Sequence, residues 1–233
     1  MKKLLFVSFF LFCFFFSRTI CSASLPPFYY FHPPKDWLIS DPTHLPKEVK
    51  IAFIQSERKM ITPSINLTLE KVDVPIETYI QEVKKIHQTD RTTQCRELGI
   101  LNTKSGNAHL LEISMKKEWG DIRILQSILI KDGFAHLLTA LSLKKDFMKY
   151  HELFLSTFKS LTIAPDLYSS ITEEEPRKVL KEKIHSLRSL QEEEQLRSLL
   201  SFMDTSLEKE GKCWQILAIQ YIKNNLKLLQ GCN

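Results

Sequence analysis

A chain of 233 residues with 32 basic and 27 acidic side chains carries a formal net charge of +5 at pH 7. Three of the basic residues, Lys2, Lys3 and Arg18, lie within the first 23 positions, so 29 basic and 27 acidic residues remain beyond them, a net charge of +2. A charge this close to neutral argues against nucleic acid and against an anionic membrane surface as the binding partner.

Residues 1–23 have the order of segments found in a secretory signal peptide. Two lysines precede an apolar run of 13 residues from Leu4 to Phe16, and small residues at positions 22–24 follow Arg18. The run is shorter than the roughly 18 residues that a membrane-spanning helix needs. We therefore predict a cleaved signal peptide and an exported protein that works in the periplasm, at the envelope or outside the cell.

Two alternatives to simple cleavage stay open. The segment could be retained as an uncleaved anchor, or Cys21 could be lipidated, which would tie the protein to the membrane. The preceding Arg18-Thr19-Ile20 lacks the apolar and small residues that usually stand before a lipidated cysteine. Membrane association is expected only through this segment.

Beyond the predicted signal peptide, three cysteines remain: Cys95, Cys213 and Cys232. An odd number leaves at least one thiol free or available for an intermolecular bond. If Cys213 and Cys232 share one helix, their separation of 19 positions corresponds to about 28 Å, which is too long for a disulfide.

The sequence from Leu25 to His87 predicts an extended segment, here called the lead-in, followed by two strands and a helix. Prolines and aromatic residues dominate Leu25 to Pro34 and favour extended backbone. Strands are predicted at Val49 to Gln55 and Ser64 to Val72. A helix is predicted from Pro75 to His87, because apolar residues there recur at helical spacing.

Four further strands follow, and they predict an antiparallel meander. Glycines at positions 106, 120 and 133 fall in the gaps between them, where hairpin turns favour residues that tolerate positive φ. The predicted strands are Gln94 to Thr103, Ala108 to Lys116, Ile122 to Lys131 and Phe134 to Leu143.

A two-residue turn at Asp132-Gly133 would fix the register of the last two strands. On one face, predicted to be the core, it would place three pairs opposite each other: Ile128 and Leu137, Ile124 and Leu141, Gln126 and Thr139. The polar pair Gln126 and Thr139 could then satisfy each other by a hydrogen bond. The opposite face, with Leu125, Leu129 and Leu138, is mixed but apolar enough to require a second covering layer.

A helix from about Lys145 to Leu161 closes this domain, and Pro165 and Ser169-Ser170 are interpreted as a linker. Helical periodicity continues to Met203 and returns from Cys213 to Leu229, which predicts a C-terminal helical hairpin. Its apolar side is too broad for a free hairpin to bury, so either the sheet or a partner must cover it. Trp214, Leu217 and Tyr221 are the predicted partner-binding residues, with a buried hairpin seam as the alternative.

Between Trp37 and Ile163 the order of elements matches a known superfamily. The motifs are Ser64-Ile65-Asn66-Leu67 before a helix, Gln126-Ser127-Ile128-Leu129-Ile130 and Leu138-Thr139-Ala140 in successive strands, and the closing helix from Phe147 to Leu161. On these motifs, and over about 130 residues, the chain resembles the PsbP/DcrB-like (Mog-type) superfamily. The resemblance implies an α+β fold, an α/β/α sandwich on one antiparallel sheet, and protein binding without catalysis. The tail from Ser170 to Asn233 lies outside the pattern.

The histidines, cysteines and glycines are the residues that could form a catalytic or metal-binding motif. His151-Glu152 begins like a zinc-protease motif, but Leu155 stands where the second histidine is required. His109 and His136 are predicted on opposite sheet faces, each half-exposed at a sheet margin. No Gly-x-Ser-x-Gly or phosphate-binding glycine loop occurs, and Cys95 is interpreted as a core thiol. We predict no catalytic residue, no cofactor and no metal.

These observations divide the chain into a signal peptide (residues 1–23), a PsbP-like α/β/α domain (24–166) and a helical tail (167–233). The leading functional prediction is a non-enzymatic, exported accessory protein that binds another, unidentified protein through its sheet or its tail. The alternatives are a chaperone for a secreted effector, which the signal peptide argues against, and an unrecognised hydrolase.

Overall fold

The computed structural model of the protein describes residues 25–57, 61–118, 120–187 and 193–231. The predicted signal peptide, Cys21 and Cys232 lie outside the described residues. Within these ranges, no helix is long and apolar enough to cross a membrane.

The strands form one large antiparallel sheet and one small one in the described part of the chain. The large sheet has seven strands in the order β2-β3-β4-β8-β7-β6-β5, and β1 pairs with β9 in the small sheet. The strands are β1 (Phe28–Tyr30), β2 (Leu38–Ile39), β3 (Val49–Ile54), β4 (Ser64–Lys71), β5 (Thr93–Thr103), β6 (Gly106–Met115), β7 (Ile122–Lys131), β8 (Phe134–Leu143) and β9 (Thr162–Ala164).

The α-helices cover both faces of the large sheet. They are α1 (Ile76–Gln88), α2 (Phe147–Lys159), α3 (Glu174–Ser186), α4 (Glu193–Ser206) and α5 (Gly211–Gly231). The predicted α/β/α sandwich on one antiparallel sheet is confirmed, and the predicted strands and the first two helices match the observed ones within about three residues.

The β7–β8 hairpin has the predicted register. Ile128 lies opposite Leu137, and Gln126 lies opposite Thr139. The Gln126 Nε2 donates to Thr139 Oγ1 over 3.1 Å. Asp132 and Gly133 both have positive φ, 51° and 76°, as a tight hairpin turn of this kind requires.

The two faces of the sheet have unequal cores, and the predicted assignment of the main core is wrong. Among the described residues, the face with Ile128 and Leu137 packs against α1, whose buried residues are Ile80 and Val83, and we name it the α1 face. The opposite face, here the α2 face, holds the larger cluster. Alternation along the strands identifies two apolar faces, but it does not show how many distant segments cover each one.

Three segments of the chain cover the α2 face. Its strand residues include Leu125, Leu129 and Leu138, which are buried. Helix α2 contributes Phe147, Phe154 and Phe158, while the lead-in contributes Phe28 and Phe31 and the tail contributes Leu180, Leu199 and Trp214, all in one continuous cluster. The second covering layer that the sequence required on this face is therefore present.

The described part of the tail contains three α-helices, α3, α4 and α5, where the hairpin prediction needs two. The predicted linker around Ser169-Ser170 is a short 3-10 helix in which Ser170 is buried. The boundary between residues 24–166 and 167–233 stays a prediction. In packing terms, however, the tail is an integral part of the core of the α2 face and not an appendage to it.

Candidate functional site

The three predicted partner-binding residues are buried in the protein's own core. Trp214 is 0% exposed, and its Nε1 donates to Ser170 Oγ over 2.8 Å. The Trp214 and Tyr221 rings both meet the Phe28 ring edge to face, with centroids 5.8 and 5.4 Å away. Leu217 is buried beside them. In this structure these side chains join α5 to the lead-in and to Ser170, and partner binding through them stays a prediction.

Leu217 and Tyr221 also form one wall of a cleft, which we name the α5 cleft. It has a volume of about 280 Å³. Its walls are the lead-in, the ends of β3, β4 and β8 on the α2 face, and one side of α5. The lining residues are Pro26, Pro27, Phe28, Tyr29, Lys50, Leu69, Phe134, His136, Leu217, Gln220, Tyr221, Asn224 and Asn225.

His136 lines the α5 cleft and differs from its predicted setting. It lies opposite Leu129 on the α2 face and is 1% exposed, so the prediction of a half-exposed histidine at the sheet margin is wrong. Its ring meets Tyr29 edge to face at 5.7 Å, and its Nδ1 has no hydrogen-bond partner among the described residues. The lead-in, which folds back over this end of the sheet, is what buries it.

Burial determines the protonation states of His136 and Tyr29, whose rings are in contact in the α5 cleft. Burial lowers the pKa of His136 to about 4, and the nearby Asp132 carboxylate and a backbone hydrogen bond with Lys131 offset only part of that effect. Burial raises the pKa of Tyr29 to about 12. Both side chains are therefore neutral at pH 7, and a neutral imidazole offers either a donor or an acceptor at Nδ1, depending on its tautomer.

Helix α5 is interrupted where it faces the cleft. Asn225 has non-helical backbone angles, φ −126° and ψ 15°, and its Nδ2 donates to the Tyr221 carbonyl over 2.8 Å. Asparagine competes for backbone hydrogen bonds and so favours helix ends and breaks. The Asn224-Asn225 pair is the signal in the sequence that could have located this break, and our sequence interpretation missed it.

A second candidate site is the outer edge of the large sheet. Strand β5 pairs with β6 on one side only, so its other side lacks a strand partner within the described sheet. Two large apolar side chains are exposed there, Leu98 at 40% and Ile100 at 55%. An edge strand with exposed backbone groups can accept an additional strand from another protein.

A β-bulge divides this edge. The register of β5 against β6 shifts between Glu97 and Gly99, and Gly99 has a φ of 111°. A glycine inside a predicted strand is the sequence signal for such a bulge. Bulges limit strand addition, so the uninterrupted stretch available for pairing runs from Gly99 to Thr103.

The other residues considered for chemistry lie apart from one another. His109 contacts Glu97 at 3.1 Å on the α1 face, opposite to the face of His136, as predicted. His151 contacts its neighbour Glu152 at 3.2 Å. Within the described ranges, no group of three or more histidine, cysteine or acidic side chains is arranged to hold a metal ion.

The two described thiols are shielded. Cys95 is half-buried beside α1, and burial raises its pKa. Cys213 is buried in the core of the α2 face, and burial raises its pKa to about 12. A protonated thiol is a weak nucleophile, so neither cysteine is activated in this structure.

Comparison with known proteins finds similar solved structures only. No family model matches the chain, and no curated protein matches it. LpqN of Mycobacterium tuberculosis, described as involved in cell envelope biogenesis, is 16% identical, with a TM-score of 0.48 over 61% of this chain and 86% of LpqN.

Two further structures carry the names in the predicted resemblance. The cyanobacterial PsbP of Synechocystis is 13% identical, with a TM-score of 0.44 over 63% of this chain and 96% of PsbP. The Ran-binding protein Mog1p of Saccharomyces cerevisiae is 13% identical, with a TM-score of 0.40 over 55% of this chain and 86% of Mog1p. These similarities concern the fold, and they assign no ligand or partner to this chain.

Proposed function

We propose that the protein is an exported, non-enzymatic accessory protein that binds an extended segment of another protein along the outer edge of β5. The observation that carries the proposal is the exposure of Leu98 and Ile100 on a strand that has a partner on one side only. Export rests on the signal-peptide pattern of residues 1–23.

The chemistry of the edge favours an extended segment over a helix as the occupant. Main-chain groups on the outer side of Gly99 to Thr103 would supply affinity, and the exposed Ile100 side chain would contact alternate side chains of the added strand. The turn after β5 is fixed, because the Lys104 amide donates to the Lys159 carbonyl of α2 over 3.0 Å. The edge is thus held in place before a partner arrives, which lowers the entropic cost of binding.

The test is affinity capture from envelope extracts with the wild type and two matched variants. Ile100→Glu places a charge on the proposed edge, while Ile39→Glu places the same charge on β2, the edge strand at the opposite side of the sheet, where Ile39 is 42% exposed. A partner that is captured by the wild type and by Ile39→Glu, but lost with Ile100→Glu, supports the proposal. A partner retained equally by both variants contradicts it.

Two further measurements separate the parts of the proposal. Sedimentation of the purified protein distinguishes a foreign partner from a second copy, since self-association that Ile100→Glu abolishes would assign the edge to a homodimer. The mass of the N-terminus of the protein recovered from the envelope fraction tests export. An unprocessed chain found in the cytoplasm would contradict export and leave the assignment of the β5 edge intact.

A further inference from the structure

We propose that the α5 cleft is a binding site for a small amphipathic carboxylate, a ligand class independent of the protein partner at β5. The cleft volume of about 280 Å³ lies near the lower end of the range found for small-molecule sites. The geometry that points to a ligand is the buried Nδ1 of His136, which has no partner among the described residues, in a cleft that is also lined by Lys50 of β3 and by the amide side chains of α5.

The first observation that supports a ligand is the buried Nδ1 atom of His136. A buried polar atom without a hydrogen bond costs free energy, and such atoms are rare in folded proteins unless a ligand or water satisfies them. His136 Nδ1 is such an atom among the described residues, and its side chain lines the cleft. A ligand oxygen in the cleft would satisfy it.

The charged residues that line the cleft indicate the sign of the ligand's charge. Lys50 is the charged residue of the lining, and no aspartate or glutamate is among the described residues that line the cleft. The Lys50 Nζ donates to the Lys47 carbonyl over 3.3 Å, which uses one of its three donors. Lys50 and the amide groups of Gln220 and Asn224 favour an acceptor with negative charge.

The apolar residues that line the cleft indicate that the ligand also has an apolar body. Pro27, Leu69, Phe134 and Leu217 present apolar surface. Burial of an alkyl or aromatic body against these side chains would drive binding, while the polar groups orient the ligand. The combination fits an organic acid with a short apolar body.

The test is a titration of the purified protein with octanoate, followed through the imidazole ¹⁵N resonances of His136, with 1-octanol as the uncharged probe. We expect a saturable shift of these resonances with octanoate and binding of 1-octanol at least about tenfold weaker. Lys50→Glu should weaken octanoate binding by at least about tenfold, and Lys47→Glu, a charge reversal at an exposed neighbour, should leave it unchanged.

Three outcomes would overturn the proposal. An absence of change at His136 in millimolar octanoate would exclude the cleft as the site. Equal affinity for octanoate and 1-octanol in the wild type would exclude a carboxylate, and this result does not depend on any variant. Equal octanoate affinity in Lys50→Glu and Lys47→Glu would exclude Lys50 as the group that receives the charge.

Discussion

The α1 face and the α2 face of the sheet are built from different parts of the chain. The α1 face is covered by one helix that directly follows β4 in sequence, and its cluster contains few buried side chains. The α2 face is covered by the lead-in, α2 and the tail, which lie far apart in sequence. The comparison shows that the sheet supplies two apolar faces, while distant segments decide which of them becomes the main core.

The largest expected effect comes from removing the tail. A chain that ends at Ser169 loses α3, α4 and α5, and with them the Trp214 and Tyr221 rings that cover Phe28. We expect loss of cooperative unfolding, aggregation and binding of a hydrophobic dye, because a large apolar surface becomes exposed. If the shortened chain unfolded cooperatively at the same urea concentration as the full chain, the rest of the protein would fold independently of the tail.

Trp214→Ala is the corresponding single change on the α2 face. The loss of a buried indole should lower the free energy of unfolding by about 3 to 5 kcal/mol, measured by urea denaturation. Met148→Ala, at a side chain that is 72% exposed on α2, is the control and should change it by less than about 0.5 kcal/mol. A similar small change in both variants would mean that the tail does not stabilise the core.

His136 links the α2 face to pH. Its pKa is about 4 in the folded protein against an ordinary value of 6.5, so the unfolded chain binds more protons between these values. Stability should therefore be full above about pH 6.5 and fall as the pH drops towards 4, by roughly 3 kcal/mol, since each pKa unit corresponds to about 1.36 kcal/mol.

The control must isolate His136, because burial also lowers the pKa of His32 and His87, which act in the same direction. His136→Gln removes one titrating group and should flatten part of the decrease in urea midpoint between pH 6.5 and 4. An identical pH profile in the variant and the wild type would contradict a buried, neutral His136.

The smallest effect is expected on the α1 face. Ile80→Ala should lower the free energy of unfolding by about 2 kcal/mol, at the low end for such changes, because the cluster around it is small and one helix can adjust. Glu77→Ala, exposed on the same helix, should have an effect below about 0.5 kcal/mol. If Ile80→Ala lowered the free energy of unfolding by more than Trp214→Ala does, the α1 face would contribute more to stability than the α2 face, contrary to this prediction.

The local elements could be predicted because their signals are local. Turn glycines and strand alternation place β5 to β8, and the Asp132-Gly133 turn fixes the register of Ile128 against Leu137. The pairing of β1 with β9 could not be predicted in this way. Tyr29 lies opposite Ile163, and no periodic pattern within either segment specifies the other.

The α5 cleft depends on the same distant contacts. His136 stands at an inward position of an alternating strand, which predicts its face but not its depth. It is buried because Tyr29 lies over it, and that contact follows from the path of the lead-in. The β5 edge was closer to being predictable, since Gly99 marks the bulge, but the exposure of Ile100 depends on strand order across the whole sheet.

The hydrogen bond from Tyr221 to the Pro26 carbonyl joins residues that are 195 positions apart. The main core therefore cannot close until nearly the whole chain has been synthesised, which takes on the order of 10 s at ordinary rates of translation. During that time the lead-in lacks its covering helix. A chain whose first residues pack against its last helix therefore stays incompletely folded throughout its synthesis, and the apolar lead-in remains exposed for that time.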